Sequence, residues 1–251
     1  MINLQIDKPI ATVTLDNPPV NALSDAMTDR FDQVLDEIEA AGDISVLHLR
    51  SAQKVFCAGA DLAMMRELLT TPEGCDRMIE IVRDIQRVLF RLEDIGVVSV
   101  VELSGAALGG GFEIALACDL RVAANEAKLG LPEAGLGLLP AAGGTQRMPR
   151  IAGEAVARRL ILGAEVINGE EAARLGLVHW SVPRAELQAY TADLVQRLAG
   201  LPAAALAANK QCIAAARDDA VNGYELELTE TRKLHDDAET KRRIKAFLDK
   251  S

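Results

Sequence analysis

Aromatic residues supply only 3% of the 251-residue chain, and cysteine occurs four times. With so few rings, alanine, leucine and valine must fill the interior, which favours closely approaching backbones over aromatic clusters. Cys57, Cys75, Cys118 and Cys212 show neither metal-ligand nor redox pairing, and His48, His179 and His235 stand isolated. No metal site is expected, and His48, inside an apolar strand, reads as a core residue. Cys57 and Cys118 lie within apolar runs, where buried thiols are common, and a reduced, cytoplasmic setting is the simpler reading. Net positive charge is missing too, since the formal balance is -10. That sign repels phosphate backbones and anionic lipid, so nucleic acid and membrane surfaces are poor partners. The apolar stretch at 95–120 is interrupted by Glu102 and Glu113, and Met1-Ile2-Asn3-Leu4-Gln5 lacks the charged-then-apolar layout of a signal peptide.

What is present fits an ordinary globular protein, with 49% apolar and 25% charged residues in a length suited to one domain with an appendage. Strand-like runs at 10–15, 44–49, 55–58, 97–101, 119–123 and 128–129 alternate with helical patterns. One helix starts at Ser24 or Asp25 and runs to Ala41; another spans roughly Pro72–Glu93 with Met78, Ile81, Val82, Ile85, Val88 and Leu89 along one side. Asp61 opens a shorter helix that breaks at Thr71-Pro72. Gly135–Gly144 reads as a loop, and from Glu154 onward the pattern is helical apart from a turn at Leu177–Pro183. The chemistry-bearing part is therefore expected in 1–199, an α/β core, and a C-terminal α-helical region in 200–251, with Ile244, Phe247 and Leu248 on its last helix, packs on the core or on a neighbouring subunit.

Two segments share one design, an apolar strand, then small residues, then a helix start. The first is Val55-Phe56-Cys57-Ala58-Gly59-Ala60-Asp61-Leu62. The second is Val100-Val101-Glu102-Leu103-Ser104-Gly105-Ala106-Ala107-Leu108-Gly109-Gly110-Gly111-Phe112-Glu113. Glycines admit a ligand to bare backbone, and a helix start offers unpaired N–H groups at the positive end of a dipole. Two such turns can aim two amides at one carbonyl oxygen, an oxyanion hole. Small residues also serve close packing of strands and helices, and that alternative stays open for either segment alone. Twenty residues past Glu113 comes a second acid, Leu131-Pro132-Glu133. Other glycine-rich designs fit less well. Gly135-Leu136-Gly137-Leu138-Leu139-Pro140 has proline where the dinucleotide fingerprint needs its third glycine, no phosphate-loop lysine follows a glycine run, and Glu102 before Leu103-Ser104 spoils a serine elbow.

In these segments the chain resembles the crotonase superfamily, the enoyl-CoA hydratase/isomerase group. The likeness continues through Pro140-Ala141-Ala142-Gly143-Gly144-Thr145-Gln146-Arg147, Gly169-Glu170-Glu171-Ala172, Gly176-Leu177-Val178 and Ala246-Phe247-Leu248. It implies a spiral core of repeated ββα units whose C-terminal helices help assemble trimers, which pair into hexamers. It also implies an oxyanion hole from the backbone N–H groups of Ala60 and Gly110. By the same resemblance, Ala58–Leu62, with Ala58, Ala60, Asp61 and Leu62, lies along the adenine end of coenzyme A. Glu113 and Glu133 take the two acid positions that hold one water and add it across an enoyl thioester. Glu133 is the expected proton donor to C2 and Glu113 the group that orients and activates water.

No metal, flavin or nicotinamide cofactor is implied; coenzyme A enters as the carrier part of an acyl-CoA thioester substrate. The chain departs from the pattern at Ala141, where relatives usually carry glycine, at Ala63, where many carry lysine, and at Arg242-Arg243, which replaces an acid–glycine pair. The rival on the same oxyanion hole is double-bond isomerisation, which commonly uses one acid. From another class, a non-catalytic or RNA-binding interaction subunit is the alternative, against which the acidic balance and both acids weigh.

Overall fold

Two antiparallel strands open the chain, β1 (Ile2–Asp7) and β2 (Ile10–Leu15), and β2 alternates buried Ala11, Val13 and Leu15 with half-buried Ile10, Thr12 and Thr14. The computed structural model describes residues 1–249, the side chain of Leu62 excepted. Helix α1 (Asp25–Ala41) is capped by Ser24, whose side chain accepts from the Met27 N–H, and buries Met27, Phe31, Val34, Leu35 and Ile38. These residues recur at three- and four-residue spacing, so they form one stripe against the core. Strand β3 (Val46–Ser51) pairs parallel with β2. Asp61 caps α2 (Leu62–Leu68), and Thr71 with Pro72 starts α3 (Pro72–Asp94).

Next come β4 (Val98–Leu103), buried throughout, β5 (Ala107–Leu108), α4 (Gly110–Ala117), β6 (Leu120–Ala124) and β7 (Lys128–Gly130). A 3-10 turn over Pro132–Leu136 leads to α5 (Gly144–Ala152) and α6 (Glu154–Ala157), which runs on as a π-helical turn over Arg158–Leu162. Then follow β8 (Val166–Asn168), α7 (Gly169–Arg174), β9 (Trp180–Val182) and four helices: α8 (Arg184–Ala199), α9 (Ala203–Ala215), α10 (Gly223–Asp236) and α11 (Ala238–Leu248).

The strands form two sheets. The larger has the order β1-β2-β3-β4-β6-β9, parallel except for its first pair, and the smaller the order β5-β7-β8. The chain climbs the two sheets in step. β4, β5 and α4 make one turn; β6, β7 and the segment leading to α5 make the next. This is the α/β spiral of repeated ββα units that the resemblance implied, followed by a C-terminal α-helical region.

Three expectations need correction. No strand forms over 55–58; Cys57 alone bridges Ala107. The neighbouring backbone is claimed elsewhere: the Phe56 and Cys57 N–H groups share the Ala106 carbonyl, Asn21 Nδ2 donates to the Phe56 carbonyl, and Ala58 N–H donates to Val20. The region after Glu154 contains the strands β8 and β9, three residues each, too short for an alternating pattern to register. The loop predicted at 135–144 is shorter, because its first two residues close the 3-10 turn and Gly144 begins α5.

Tail and core are clasped together. Lys210 on α9 donates from Nζ to the Val97 carbonyl (3.0 Å) and to Asp119 (2.8 Å). Ile244, Phe247 and Leu248 on α11 are half exposed or more. His48 is buried as expected, with Nε2 3.5 Å from Glu102 on the adjacent strand. Cys57 and Cys118 are free, buried thiols, and burial pushes each up to about 12. Among the described residues, no helix is long and apolar enough to cross a membrane, and no cluster of three or more His, Cys, Asp or Glu is placed to hold a metal ion.

Candidate active site

The two small-residue turns meet. An ideal Cβ placed on Gly59 would lie 3.0 Å from the Leu108 carbonyl oxygen and 3.5 Å from the Gly110 nitrogen. Only a glycine permits this approach, and its φ of +95° is a conformation that side chains resist. The Leu23 N–H donates to the Gly59 carbonyl (2.8 Å) and the Asp61 N–H to the Leu23 carbonyl (3.1 Å). In this parallel bridge between Leu23 and Ala60, the N–H of Ala60 itself turns to the opposite side. Gly110 is the first residue of α4, where helices leave their amides unpaired. Neither amide finds a protein acceptor among the described residues.

Helix α4 is apolar on every side, with Gly111 through Ala117 buried. A carboxylate in its first turn is therefore conspicuous. Glu113 is 2% exposed, and its Oε1 accepts a hydrogen bond from the Gly144 N–H at 2.7 Å. Burial pushes its carboxyl up to about 7; the amides of Gly144 and Ala142 and the Arg147 charge pull the other way, while the Glu133 charge adds to the rise. Glu133, half-buried on the 3-10 turn, is also raised, chiefly by burial, and its Oε2 is buried with no hydrogen-bond partner among the described residues. The two acids bracket one glycine turn. A Cβ on Gly109 would sit 2.9 Å from Glu133 Oε1, and one on Gly110 would sit 3.9 Å from Glu113 Oε2.

The other residues singled out in sequence divide. Ala58 and Ala60 are exposed at the rim of the turn. The Asp61 carboxylate is engaged as a helix cap, accepting from the N–H groups of Ala63 (2.8 Å) and Met64 (3.2 Å). Leu62 opens α2, and its side chain lies outside the described residues. Arg242 and Arg243 both pair with Glu239, and Arg243 also donates to the Gly200 carbonyl, so one carboxylate answers two cations within the tail. Sequence reasoning missed Leu23, whose Cδ1 would meet a Cβ on Gly110 at 2.6 Å; no local signal marks it. The Gly144 N–H donated to Glu113 is a second contact that the 140–147 motif does not disclose in sequence.

Comparison with solved structures settles the fold. The enoyl-CoA hydratase of Bacillus anthracis matches with a TM-score of 0.91 at 30% identity, covering 99% of this chain and 96% of that one. DspI of Pseudomonas aeruginosa matches with a TM-score of 0.92 at 33% identity, covering 99% and 94%. This is the crotonase fold. In sequence, the short-chain-enoyl-CoA hydratase of Clostridium acetobutylicum is 37% identical over 212 residues, 84% of this chain and 79% of that protein. An enoyl-CoA isomerase/hydratase of Mycosarcoma maydis is 36% identical over 207 residues, 82% and 74%. The sequence pattern of the enoyl-CoA hydratase/isomerase family matches residues 5–251, and the chain belongs to that family.

Proposed function

We propose that the protein is an enoyl-CoA hydratase that adds water in syn fashion across the double bond of a 2-enoyl-CoA, or runs the reverse. The observation that carries this reading is the convergence of Glu113 and Glu133 on the Gly109–Gly110 turn, beside two amides that have no acceptor among the described residues. The thioester oxygen is held by the N–H groups of Ala60 and Gly110, and Ala58–Leu62 runs along the adenine end of the carrier. As oxygen adds at C3, the double-bond electrons move onto the thioester, whose oxygen takes on enolate charge. Amide donors and the α4 dipole stabilise that charge, and removing one such donor typically costs about a hundredfold or more in rate.

Glu113, ionised and oriented by the Gly144 N–H, takes a proton from the attacking water. Glu133 gives a proton to C2, the pair holding that proton between them before the step. Two acids whose mutual charge disfavours double ionisation can divide these roles near neutral pH. The exposed apolar residues of the C-terminal helices, Tyr224 and Leu228 among them, are assigned to subunit packing in a homotrimer or a hexamer of two trimers.

The test is the loss of enoyl absorbance with crotonyl-CoA, with Glu113→Gln and Glu133→Gln made separately. Each substitution is expected to lower hydration by at least about a hundredfold while a non-reactive CoA ester still binds. Near-wild-type turnover in either variant removes that residue from the mechanism. Migration of a 3-enoyl double bond without hydration replaces the reading with isomerisation.

A further inference from the structure

Beyond the two glutamates, we infer that Arg147 is a positioning residue for Glu113, clamping the 140–144 loop so that its amides meet that carboxylate. The inference rests on the hydratase reading for its catalytic meaning, and on geometry for its substance. Arg147 is 3% exposed although fully polar at its tip. Its Nε donates to Glu93 Oε2 at 2.9 Å and its Nη1 to the Ala142 carbonyl at 3.0 Å, while the guanidinium lies 5.2 Å from the centre of the Phe90 ring. A buried guanidinium is costly unless its fork is matched, and here one branch is anchored on α3 and another on the loop.

The loop is shaped to receive that branch. Gly143 has a φ of +108°, and a Cβ there would lie 2.2 Å from Arg147 Nη1. The preceding carbonyl, that of Ala141, accepts from Gln86 Nε2 on α3. Two consecutive loop carbonyls are thus held from one side by side chains anchored on α3. The amides of Ala142 and Gly144 face Glu113 on the other side. The Ala141 carbonyl shares a rigid peptide plane with the Ala142 N–H, so holding the one orients the other, and only the two dihedrals of Gly143 separate the held Ala142 carbonyl from the Gly144 N–H.

The charges around the pair are few. Glu113 faces Glu133 from the 3-10 turn and Arg147 from α5, and Arg147 faces Glu93 of α3, which also pairs with Arg217 beyond α9. The Arg147 charge favours the ionised form of Glu113, so its removal moves the Glu113 midpoint upward.

The experiment uses the full chain carrying Arg147→Gln or Arg147→Lys. It reads kcat and KM with crotonyl-CoA, and the Glu113 carboxyl titration by carbon-13 NMR. For Arg147→Gln, kcat is expected to fall by about ten- to a hundredfold, as for misplacement of a reacting group, with KM changed much less and the Glu113 midpoint displaced upward. Arg147→Lys keeps the charge but loses the fork, so kcat falls while the midpoint stays nearer that of the wild type. A folded Arg147→Gln protein with wild-type kcat and an unmoved Glu113 titration overturns the inference. Should that variant fail to fold, Glu93→Gln frees the clamp while leaving the cation, and wild-type kcat there overturns it equally. The NMR titration needs no turnover. A protein that hydrates nothing, yet shows an upward displacement in the charge-keeping Arg147→Lys as well, refutes the hydratase reading and supports the clamp. Active wild type, inactive Glu113→Gln and unchanged Arg147→Gln refute the clamp alone.

Discussion

Glu113 is a carboxylic acid almost wholly withdrawn from water, and that withdrawal links acidity to stability. Its carboxyl has an ordinary value of 4.5 and is held near 7 in the fold. Between those limits the folded chain binds a proton that the unfolded chain releases. The contribution of the protonated group is therefore complete below about pH 4.5, declines as pH rises, and is lost above about 7. The full cost of ionising the buried group is up to about 3 kcal/mol. Urea midpoints at about pH 5 and about pH 8 check this: Glu113→Gln gains stability relative to wild type at the higher pH, and a pH-independent difference contradicts it. The two acids and the glycine turn were legible in the sequence because each lies in a short contiguous motif. Asp61 was legible as the opening of a helix, and its carboxylate caps α2 there. Leu23 and the Arg147–Ala142 bond were not legible, since each joins the site by packing and no nearby residue announces it.

Among the elements, the docking of α4 on the Cys57 segment sets the distance between the two turns. A Cβ on Gly111 would meet the Cys57 carbonyl oxygen at 2.2 Å and its Cβ at 2.7 Å, so neither the helix nor the segment has slack. Gly111→Ala is expected to cost about 2–3 kcal/mol and to lower Tm by several degrees, measured by calorimetry. An unchanged Tm means that the helix can shift freely. Periodicity disclosed the long elements well. α1 begins at the predicted cap, and α3 occupies nearly the predicted span. It failed where pairing partners rather than pattern make the strand. β8 and β9 are strands only because β7 and β6 lie beside them, and the segment 55–58 is not one because side-chain and loop groups claim its backbone.

For the whole molecule, the C-terminal helices carry part of the exposed apolar surface, and Leu136, Leu139 and Leu162 carry another part. Tyr224 is 83% and Leu228 64% exposed, one helical turn apart on α10. If these rows pack between subunits, the double substitution Tyr224→Asp with Leu228→Asp reduces the sedimentation mass from a multiple of the chain to that of a single chain. A wild-type protein that sediments as one chain removes the trimer from the reading. The apolar positions Ile244, Phe247 and Leu248 of the last helix were visible in sequence, but the surface they cover was not, because the same residues serve a core or a neighbour equally well.

The enclosure of α4 by apolar neighbours also partitions where the molecule can vary. Apart from those at Glu113, substitutions at the buried apolar positions of that helix fail as folding lesions before they can act as changes in chemistry. A mutagenesis library screened for new acyl preferences should therefore yield its survivors on the half-exposed α2 and the outward side of α3, with the helix bearing Glu113 nearly invariant among them.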